Sequence, residues 1–345
     1  MARLDKVRFG DFVREVSEDY RVYAPGSLGG STVFLPVDPG GETDPCCGMT
    51  VLSPKGVFFP QSEALFEYEN GRVRTLPEEG KPLLVWGMRG CDVRSLDLLD
   101  RVFGDAIQKP GDTRFQDPYW KNRYDGSVTF CTACNEPLST CFCNWFGGGP
   151  HSGTGADVLV VDLGDALLFE SRSEKGTALV QGLSCTEEAT DDDRAMAAEL
   201  ASRADSAMAE PGSVEGLPTL LPETFDLDVW DGIAAKCLNC GACTFCCPTC
   251  HCFDVQDEGR SGKGRRLRIW DSCMFPVFTA EASGHNPRAL SRDRVRQRFM
   301  HKFSYFPERY GEMLCTGCGR CISVCPVGLD VRDVVRLLGD CGSGG

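Results

Sequence analysis

The feature that most constrains this chain is a cysteine pattern that occurs twice. Each copy reads C-x2-C-x2-C-x3-C-P. The first motif comprises Cys237, Cys240, Cys243 and Cys247 followed by Pro248, and the second comprises Cys315, Cys318, Cys321 and Cys325 followed by Pro326. The 345 residues include 21 cysteines, several times the usual share, so disulfide bonds or metal must account for them.

The amino-terminal segment and the cysteine count both favour metal over disulfide bonds. Residues 1–8 are interrupted by charges too often to form the apolar core of a secretory signal, which predicts a cytoplasmic protein. No later run reaches about 20 uninterrupted apolar residues, so no transmembrane segment is expected. Because the cytoplasm is reducing and the cysteine number is odd, a disulfide scaffold is the weaker explanation.

The spacing within each motif predicts two [4Fe-4S] clusters with crossed ligand sets. The first three cysteines of a motif bind one cluster, and the fourth, before the proline, binds the other. Cluster one would be held by Cys237, Cys240, Cys243 and Cys325, and cluster two by Cys315, Cys318, Cys321 and Cys247. Zinc is the alternative, but tetrahedral sites of four cysteines usually use two separated CxxC pairs.

The chain length and the position of the motifs predict two domains in an α+β fold. Residues 1–228 are expected to form an α/β domain, and residues 229–345 a mainly helical, ferredoxin-like domain with two [4Fe-4S] clusters. The boundary falls in an acidic, alanine-rich stretch broken by prolines and glycines. The insertion between the motifs is too long for a small bacterial dicluster ferredoxin, which favours a helical ferredoxin arrangement.

Periodicity places several elements in the first domain. Helices are predicted over 5–18, 92–103 (with Asp92 as N-cap) and 192–208. Strands are predicted at 82–87, 127–131, 157–162 and 166–170. The last two strands are joined by Gly164-Asp165, a dipeptide typical of hairpin turns.

Charge is distributed unevenly along the chain. The net charge of −14 argues against a nucleic-acid partner bound through a generally basic surface. Residues 260–309, within the basic insertion at 253–312, nevertheless contain twelve Lys or Arg against four Asp or Glu. Such a segment could dock an acidic partner or raise cluster potentials, or it could pair internally with the acidic first domain. We assign His285 and His301 to this basic insertion rather than to a catalytic site.

Two further sets of cysteines are candidates for a third [4Fe-4S] cluster. Strand ends on one side of an α/β sheet converge, and the first set is Cys91, Cys131, Cys141 and Cys143, with Cys134 able to replace Cys131. The rival set is Cys250, Cys252 and Cys273. Zinc, or free cysteines that pack as small apolar residues, are the remaining alternatives.

Several motifs together resemble a known iron-sulfur family. They are Cys237-Leu-Asn-Cys-Gly-Ala-Cys, Cys247-Pro-Thr-Cys-His-Cys252, Arg268-Ile-Trp-Asp-Ser-Cys273, Gly284-His285, His301-Lys302, Cys315-Thr-Gly-Cys-Gly-Arg-Cys and, upstream, Ser53-Pro54-Lys55, Phe59-Pro60-Gln61, Arg89-Gly90-Cys91-Asp92 and Cys141-Phe142-Cys143. The chain resembles the family that contains the iron-sulfur subunit of anaerobic sulfite reductase and the beta subunit of cytosolic sulfhydrogenases. This resemblance implies an electron relay that connects a partner binding flavin and NAD(P)H with a catalytic partner of sulfite reductase, hydrogenase or heterodisulfide-reductase type.

The residues themselves favour a non-catalytic electron-transfer subunit. The chain contains no G-x-G-x-x-G after a strand and no G-x4-G-K-[ST], and no catalytic residue is assigned. The alternative is a reductase with its own catalytic iron-sulfur centre, built from Cys250, Cys252 and Cys273 or from first-domain thiolates. A redox-sensing module is a third hypothesis, although no DNA-reading motif accompanies the cysteines.

Overall fold

The alternation of buried apolar runs with amphipathic segments produces a mixed α and β structure. The computed structural model describes residues 1–40, 44–46, 48–76, 80–104 and 116–342. The strands are β1 (Ala2–Asp5), β2 (Arg21–Leu28), β3 (Ser31–Pro36), β4 (Ser62–Glu69), β5 (Arg72–Thr75), β6 (Leu83–Met88), β7 (Val128–Thr132), β8 (Val158–Asp162), β9 (Ala166–Ser171), β10 (Glu187–Glu188), β11 (Phe253–Arg260) and β12 (Lys263–Trp270).

The helices range from single turns to four turns. They are α1 (Phe9–Val16), α2 (Lys55–Phe58), α3 (Gly90–Phe103), α4 (Pro118–Gly126), α5 (Glu174–Gly182), α6 (Asp191–Ser206), α7 (Leu217–Glu223), α8 (Val229–Ala234), α9 (Ala242–Phe245), α10 (Ser291–Met300), α11 (Phe306–Tyr310), α12 (Arg320–Ser323) and α13 (Val331–Gly342). A π-helical segment, His301–Tyr305, connects α10 to α11. No helix among the described residues is long and apolar enough to cross a membrane.

The chain forms two compact units whose limits differ from the predicted boundary at residue 228. The first unit comprises Met1–Phe58, Glu79–Pro211 and Thr316–Cys318, and the second comprises Phe59–Glu78, Gly212–Cys315 and Gly319–Gly345. The early segment joins the second unit because β4 pairs with β12 over most of its length. Local periodicity carries no information about such a long-range pairing.

The first unit is built on a mixed sheet with strand order β10-β1-β9-β8-β7-β6-β2-β3. Strands β2, β6, β7 and β8 run parallel, and the outer strands pair antiparallel. Every residue of β6 is buried, as expected for a parallel strand covered on both faces. The rings of Phe12, Trp86, Phe130 and Phe169 pack together with centroids 5.1–5.8 Å apart and form the centre of the core.

The predicted elements of this unit are confirmed with shifts of a few residues at their ends. The hairpin at Gly164-Asp165 is confirmed, since β8 and β9 pair antiparallel. The assignment of Asp92 as a helix N-cap is wrong. Helix α3 begins at Gly90 after Arg89, and Asp92 lies at the third position, where its carboxylate accepts a 3.1 Å hydrogen bond from the Arg89 amide. An acidic residue there satisfies a free amide just as a cap does, so the two positions look alike in sequence.

The second unit contains a four-stranded antiparallel sheet, ordered β11-β12-β4-β5, beside its helices. Only the helical part of this unit was predicted. The sheet places basic side chains of β12 opposite acidic side chains of β11 and β4. Ion pairs join Arg265 to Glu258, Arg266 to Asp257, Arg268 to Glu63 and Lys263 to Glu69. Much of the basic insertion is therefore neutralised by acidic residues of its own unit.

Candidate iron-sulfur site

The two cysteine motifs adopt the same backbone conformation at matching positions. The residue before the second cysteine is left-handed in both, with φ of 54° at Asn239 and 64° at Gly317. The residue after the second cysteine is also left-handed, with φ and ψ of 75° and −9° at Gly241 and of 76° and −10° at Gly319. Glycine and asparagine adopt this conformation at the lowest steric cost.

Each of these second glycines starts a short helix. Gly241 is the N-cap of α9, and Gly319 is the N-cap of α12. The first helical hydrogen bonds correspond, since the carbonyl oxygens of Gly241 and Gly319 each accept 2.9 Å bonds from the amide three residues later. The duplicated spacing is therefore matched by a duplicated local fold that positions the cysteines in the same way.

Cysteines from both motifs line one cavity in the second unit. The sulfur-bearing residues around this cavity are Cys237, Cys240, Cys243, Cys321 and Cys325, together with Met274. Apolar side chains, including Val295 and Phe299, complete its wall. The set includes all four residues expected to hold cluster one, and the fourth of them comes from the other motif.

Backbone amides point at two of these sulfurs. The amide of Asn239 donates to Cys237 Sγ at 3.4 Å, and the amide of Leu329 donates to Cys325 Sγ at 3.2 Å. Hydrogen bonds of this kind stabilise thiolates and are among the factors that set the potential of an iron-sulfur cluster. Burial opposes this effect, because it disfavours the charged thiolate and raises the pKa of Cys237.

A buried cation lines the same cavity. The side chain of Arg298 belongs to α10, and its residue is 7% exposed. Its Nε atom has no hydrogen-bond partner among the described residues. Burial lowers the pKa of Arg298, but the negative charges of cysteines, led by Cys243 and Cys321, more than offset this. A buried guanidinium among thiolates fits a site that holds an anionic cluster, because a buried charge requires a counter-charge.

A second buried cation lies beside the last cysteine of the first motif. The Nζ atom of Lys302, in the π-helical segment, donates to Cys247 Sγ at 3.3 Å. The same ammonium donates to Thr249 Oγ1 at 2.9 Å and to the carbonyl oxygen of Leu314 at 3.0 Å. Leu314 directly precedes Cys315. This lysine therefore links the segments that carry Cys247 and Cys315, both of which are expected to hold cluster two.

Neither buried cation was predicted as a site residue. Lys302 and Arg298 were counted only within the basic insertion. They are separated by four positions along the helical run, and i, i+4 spacing places side chains on one face. That spacing, together with the resemblance at His301-Lys302, could have marked these two residues as candidate site residues. Their depth could not be predicted, because most lysines and arginines are exposed.

The rival set for a third cluster is partly assembled in the second unit. Cys252 precedes β11 and Cys273 follows β12, where the amide of Asp271 donates to the carbonyl oxygen of Cys252 at 3.0 Å. A hydrogen bond between the two thiols, followed by burial, raises the pKa of Cys273. Cys250 acts electrostatically on Lys302 and Arg298 instead.

The first unit brings together the other set of cysteines. Cys131 lies in β7, and Cys143 begins a 3-10 helix, Cys143–Phe146. Burial, followed by the charges of Cys134 and Cys141, raises the pKa of Cys143 to about 12. Burial, followed by the charge of Cys134, also raises the pKa of Cys131. Cys134 therefore interacts electrostatically with both Cys131 and Cys143.

Cys91 lies at the second position of α3 and is half-buried. The adjacent Gly90 packs closely on the carbonyl oxygen of Ser152, since an added Cβ would lie 2.2 Å from it. The thiol of Cys131 faces the same oxygen at 3.8 Å. Cys91 thus lies near the strand end that carries Cys131, while the electrostatic coupling described above joins Cys131, Cys134, Cys141 and Cys143.

The described cysteines form no disulfide bonds with one another. Within the described part of the chain, no three His, Cys, Asp or Glu side chains converge on a position for a single metal ion. A [4Fe-4S] cluster places each thiolate on a different iron, so its ligands need not meet at one point.

The two histidines singled out in the sequence lie in different surroundings. His285 is exposed, whereas His301 packs against His251 with ring centroids 5.5 Å apart. Burial and the cationic neighbours His251, Lys302 and Arg288 lower the pKa of His301 to about 3. The imidazole of His301 is therefore neutral at physiological pH.

Comparison with known proteins agrees with the cysteine chemistry. A family model described as a 4Fe-4S dicluster domain matches residues 236–329. The chain is 31% identical to sulfhydrogenase 2 subunit beta of Pyrococcus furiosus over 339 residues, which cover 97% of this chain and 98% of that protein. No solved structure matches the chain. The chain belongs to the family of the sulfhydrogenase beta subunit, and it is an iron-sulfur electron-transfer subunit that binds [4Fe-4S] clusters.

Proposed function

We propose that this subunit relays electrons through two [4Fe-4S] clusters whose ligand sets cross between the motifs. Cluster one is assigned to Cys237, Cys240, Cys243 and Cys325, and cluster two to Cys315, Cys318, Cys321 and Cys247. The observation that carries this proposal is the cavity lined by all four residues assigned to cluster one, together with the unpartnered Nε of Arg298. The bound clusters supply one-electron transfer, and the chain supplies thiolates, amide donors and buried cations.

The relay is proposed to connect a flavin- and NAD(P)H-binding partner with a catalytic redox partner. The named relative is a beta subunit, which supports assembly with other subunits. The chain itself carries no nucleotide-binding motif, so a partner must supply the two-electron donor. Co-purification of the native complex followed by mass identification tests this assignment. Isolation without any flavin-binding or catalytic redox protein would contradict it.

A third [4Fe-4S] cluster is proposed in the first unit. One supporting observation is geometric: the thiol of Cys131 and Gly90, the residue before Cys91, both pack on the Ser152 carbonyl oxygen. A second is that the charges of Cys134 and Cys141 act on Cys143. Thiolates held close together repel one another, and a metal cluster removes that repulsion. The proposed ligands are those of the sequence prediction, Cys91, Cys131, Cys141 and Cys143, with Cys134 as the alternative to Cys131.

The number of clusters can be measured directly. Anaerobically prepared protein should contain about twelve irons per chain, falling to about eight in Cys143→Ser. The matched variant Cys273→Ser addresses the rival set and should retain about twelve. Wild-type protein with about eight irons would contradict both third-cluster sites, and loss in Cys273→Ser alone would favour the rival.

The competing function, a reductase with its own catalytic iron-sulfur centre, makes a different prediction for the isolated subunit. A relay should exchange electrons with artificial dyes but should not turn over sulfite, disulfide or NAD(P)H. Turnover of one of these substrates, lost in Cys252→Ser, would favour a catalytic centre at the Cys252 and Cys273 pair.

A further inference from the structure

Lys302 occupies an unusual position in the second unit. It lies in the π-helical segment His301–Tyr305, which interrupts an otherwise continuous α-helical run, and only 4% of its surface is exposed. A π-helical turn contains one more residue than an α-helical turn and is often found at functional sites. The turn changes the direction in which the following side chains leave the helix.

The three hydrogen-bond donors of this ammonium are all used. They contact Thr249 Oγ1, the Leu314 carbonyl oxygen and Cys247 Sγ. Thr249 supports the arrangement, because its hydroxyl donates to the same Leu314 oxygen at 2.9 Å and lies 3.3 Å from Cys247 Sγ. An ammonium has three donors, so this geometry fixes the orientation of Nζ.

The charge of Lys302 is balanced by sulfur rather than by carboxylate. Within the described ranges, no Asp or Glu oxygen lies within 4.0 Å of its nitrogen. The group it contacts that can carry a negative charge is the Cys247 sulfur, at 3.3 Å. A lysine ammonium is ordinarily positively charged at physiological pH, and the three hydrogen bonds hold this charge in place.

We propose that Lys302 is a tuning residue that raises the reduction potential of the cluster held by Cys247. This inference rests on the proposed assignment of Cys247 to cluster two. Reduction adds one electron and hence one negative charge to a cluster and its thiolates. Lys302 stabilises this added charge through a direct hydrogen bond to one thiolate, in a region from which water is excluded.

Lys302 should raise the potential of cluster two more than that of cluster one. Arg298 interacts with cysteines of both motifs, including Cys243 and Cys321, so its charge acts on both clusters. Lys302 donates to a ligand of only one of them.

The test is an anaerobic redox titration of the full chain, followed by electron paramagnetic resonance. Lys302→Met retains the side-chain length but removes the charge and the donors. We expect the midpoint of cluster two to become more negative by at least a tenfold change in the reduction equilibrium, which is about 59 mV for one electron. Cluster one should shift less. Lys263→Met, on the exposed β12 end of the hairpin, removes the same formal charge and should shift neither midpoint.

The outcomes separate this inference from the cluster assignment. Two clusters with unchanged midpoints in Lys302→Met would overturn the tuning role but leave the relay intact. A shift confined to the cluster of Cys237 would also overturn it. A wild-type protein without two clusters would instead contradict the proposed function.

A second variant keeps the test informative if Lys302→Met fails to assemble cluster two. Thr249→Val preserves the shape and the lysine charge but removes the hydroxyl that orients Nζ. We expect a smaller shift of the cluster two midpoint in the same direction. An unchanged midpoint in this variant would contradict the inference.

Discussion

The amide of Phe142 donates a 2.8 Å hydrogen bond to the carbonyl oxygen of Gly317. This contact lies within the first unit and joins the Cys141-Phe142-Cys143 segment to the middle of the second motif. The thiol of Cys141 also approaches the carbonyl oxygen of Cys318 at 4.0 Å. The cysteines proposed for the third cluster are therefore adjacent to a segment that carries a ligand proposed for cluster two, as a relay requires.

The close approach of these segments makes Gly317 sensitive to any side chain. A Cβ there would lie 2.3 Å from the Phe142 oxygen and 2.6 Å from Cys143 Cα. Gly317→Asn should therefore displace the segment and reduce iron by about four atoms per chain, measured by iron and sulfide analysis. Asparagine tolerates the left-handed conformation, as Asn239 does at the matching position, so the steric overlap is what this variant tests.

The reciprocal substitution is the control. Asn239→Gly preserves the backbone conformation and introduces no overlap. It removes the hydrogen bonds of the Asn239 side chain with Ser291 and Arg294 but no cysteine, so its iron content should remain close to that of the wild type. Full iron content in Gly317→Asn would show that the close contact with Phe142 is not needed.

Crossed ligation predicts which variants share a phenotype. Cys325→Ser should remove or alter the same cluster signal as Cys240→Ser, although Cys325 belongs to the other motif. Cys247→Ser should match Cys315→Ser. Electron paramagnetic resonance of the reduced variants distinguishes the pairs. If Cys325→Ser matched Cys315→Ser instead, each motif would hold its own cluster.

Local patterns predicted the first unit well and the second unit poorly, for a physical reason. Strand β6 is a continuous apolar run, and α6 follows a threonine cap, so each carries its signal within a few residues. The sheet that joins β4 to β12 depends on a pairing such as Glu63 with Arg268, which are 205 positions apart. From the sequence alone, Glu63 and Arg268 look like ordinary charged surface residues.

The residues of the candidate site were likewise only partly predictable from the sequence. The cysteine motifs predicted four of the cysteines that line the cavity of Cys237, because the ligands of paired [4Fe-4S] clusters follow a fixed sequence pattern. They did not reveal Arg298 or Lys302, since burial of a cation results from how distant segments pack.

The buried pair of Arg268 and Glu63 should contribute far more to stability than its exposed neighbours. Their side chains are 4% and 5% exposed, and Arg268 Nη2 lies 2.5 Å from Glu63 Oε2. Arg268→Met leaves the carboxylate without this cation, which should lower the free energy of unfolding by about 3 kcal/mol. The matched variant Arg266→Met, on the same strand but solvent-exposed, should change the urea midpoint little. Equal midpoints for the two variants would contradict this difference.

The start of α6 predicts a pH dependence centred on Asp193. Its carboxylate accepts hydrogen bonds from the amide and hydroxyl of Thr190, at 2.8 and 2.7 Å, and from Arg3 Nη1 at 2.6 Å. The bonds from the Thr190 amide and hydroxyl, assisted by Arg3, lower the pKa of Asp193 despite its burial. The folded state thus binds this proton more weakly than the unfolded chain, so the stabilisation is present above the unfolded pKa of about 3.9.

As pH falls through the lowered pKa of the folded state, that stabilisation is lost. Asp193→Asn should therefore lower the free energy of unfolding by about 1 kcal/mol at pH 7, the size of a lost helix cap. The difference from the wild type should shrink as the pH falls below the unfolded pKa of about 3.9. Urea midpoints of both proteins, measured at each pH, give this difference, because the acid lability of the clusters is common to both. A difference that does not shrink as the pH falls below about 3.9 would mean that the carboxylate charge does not contribute.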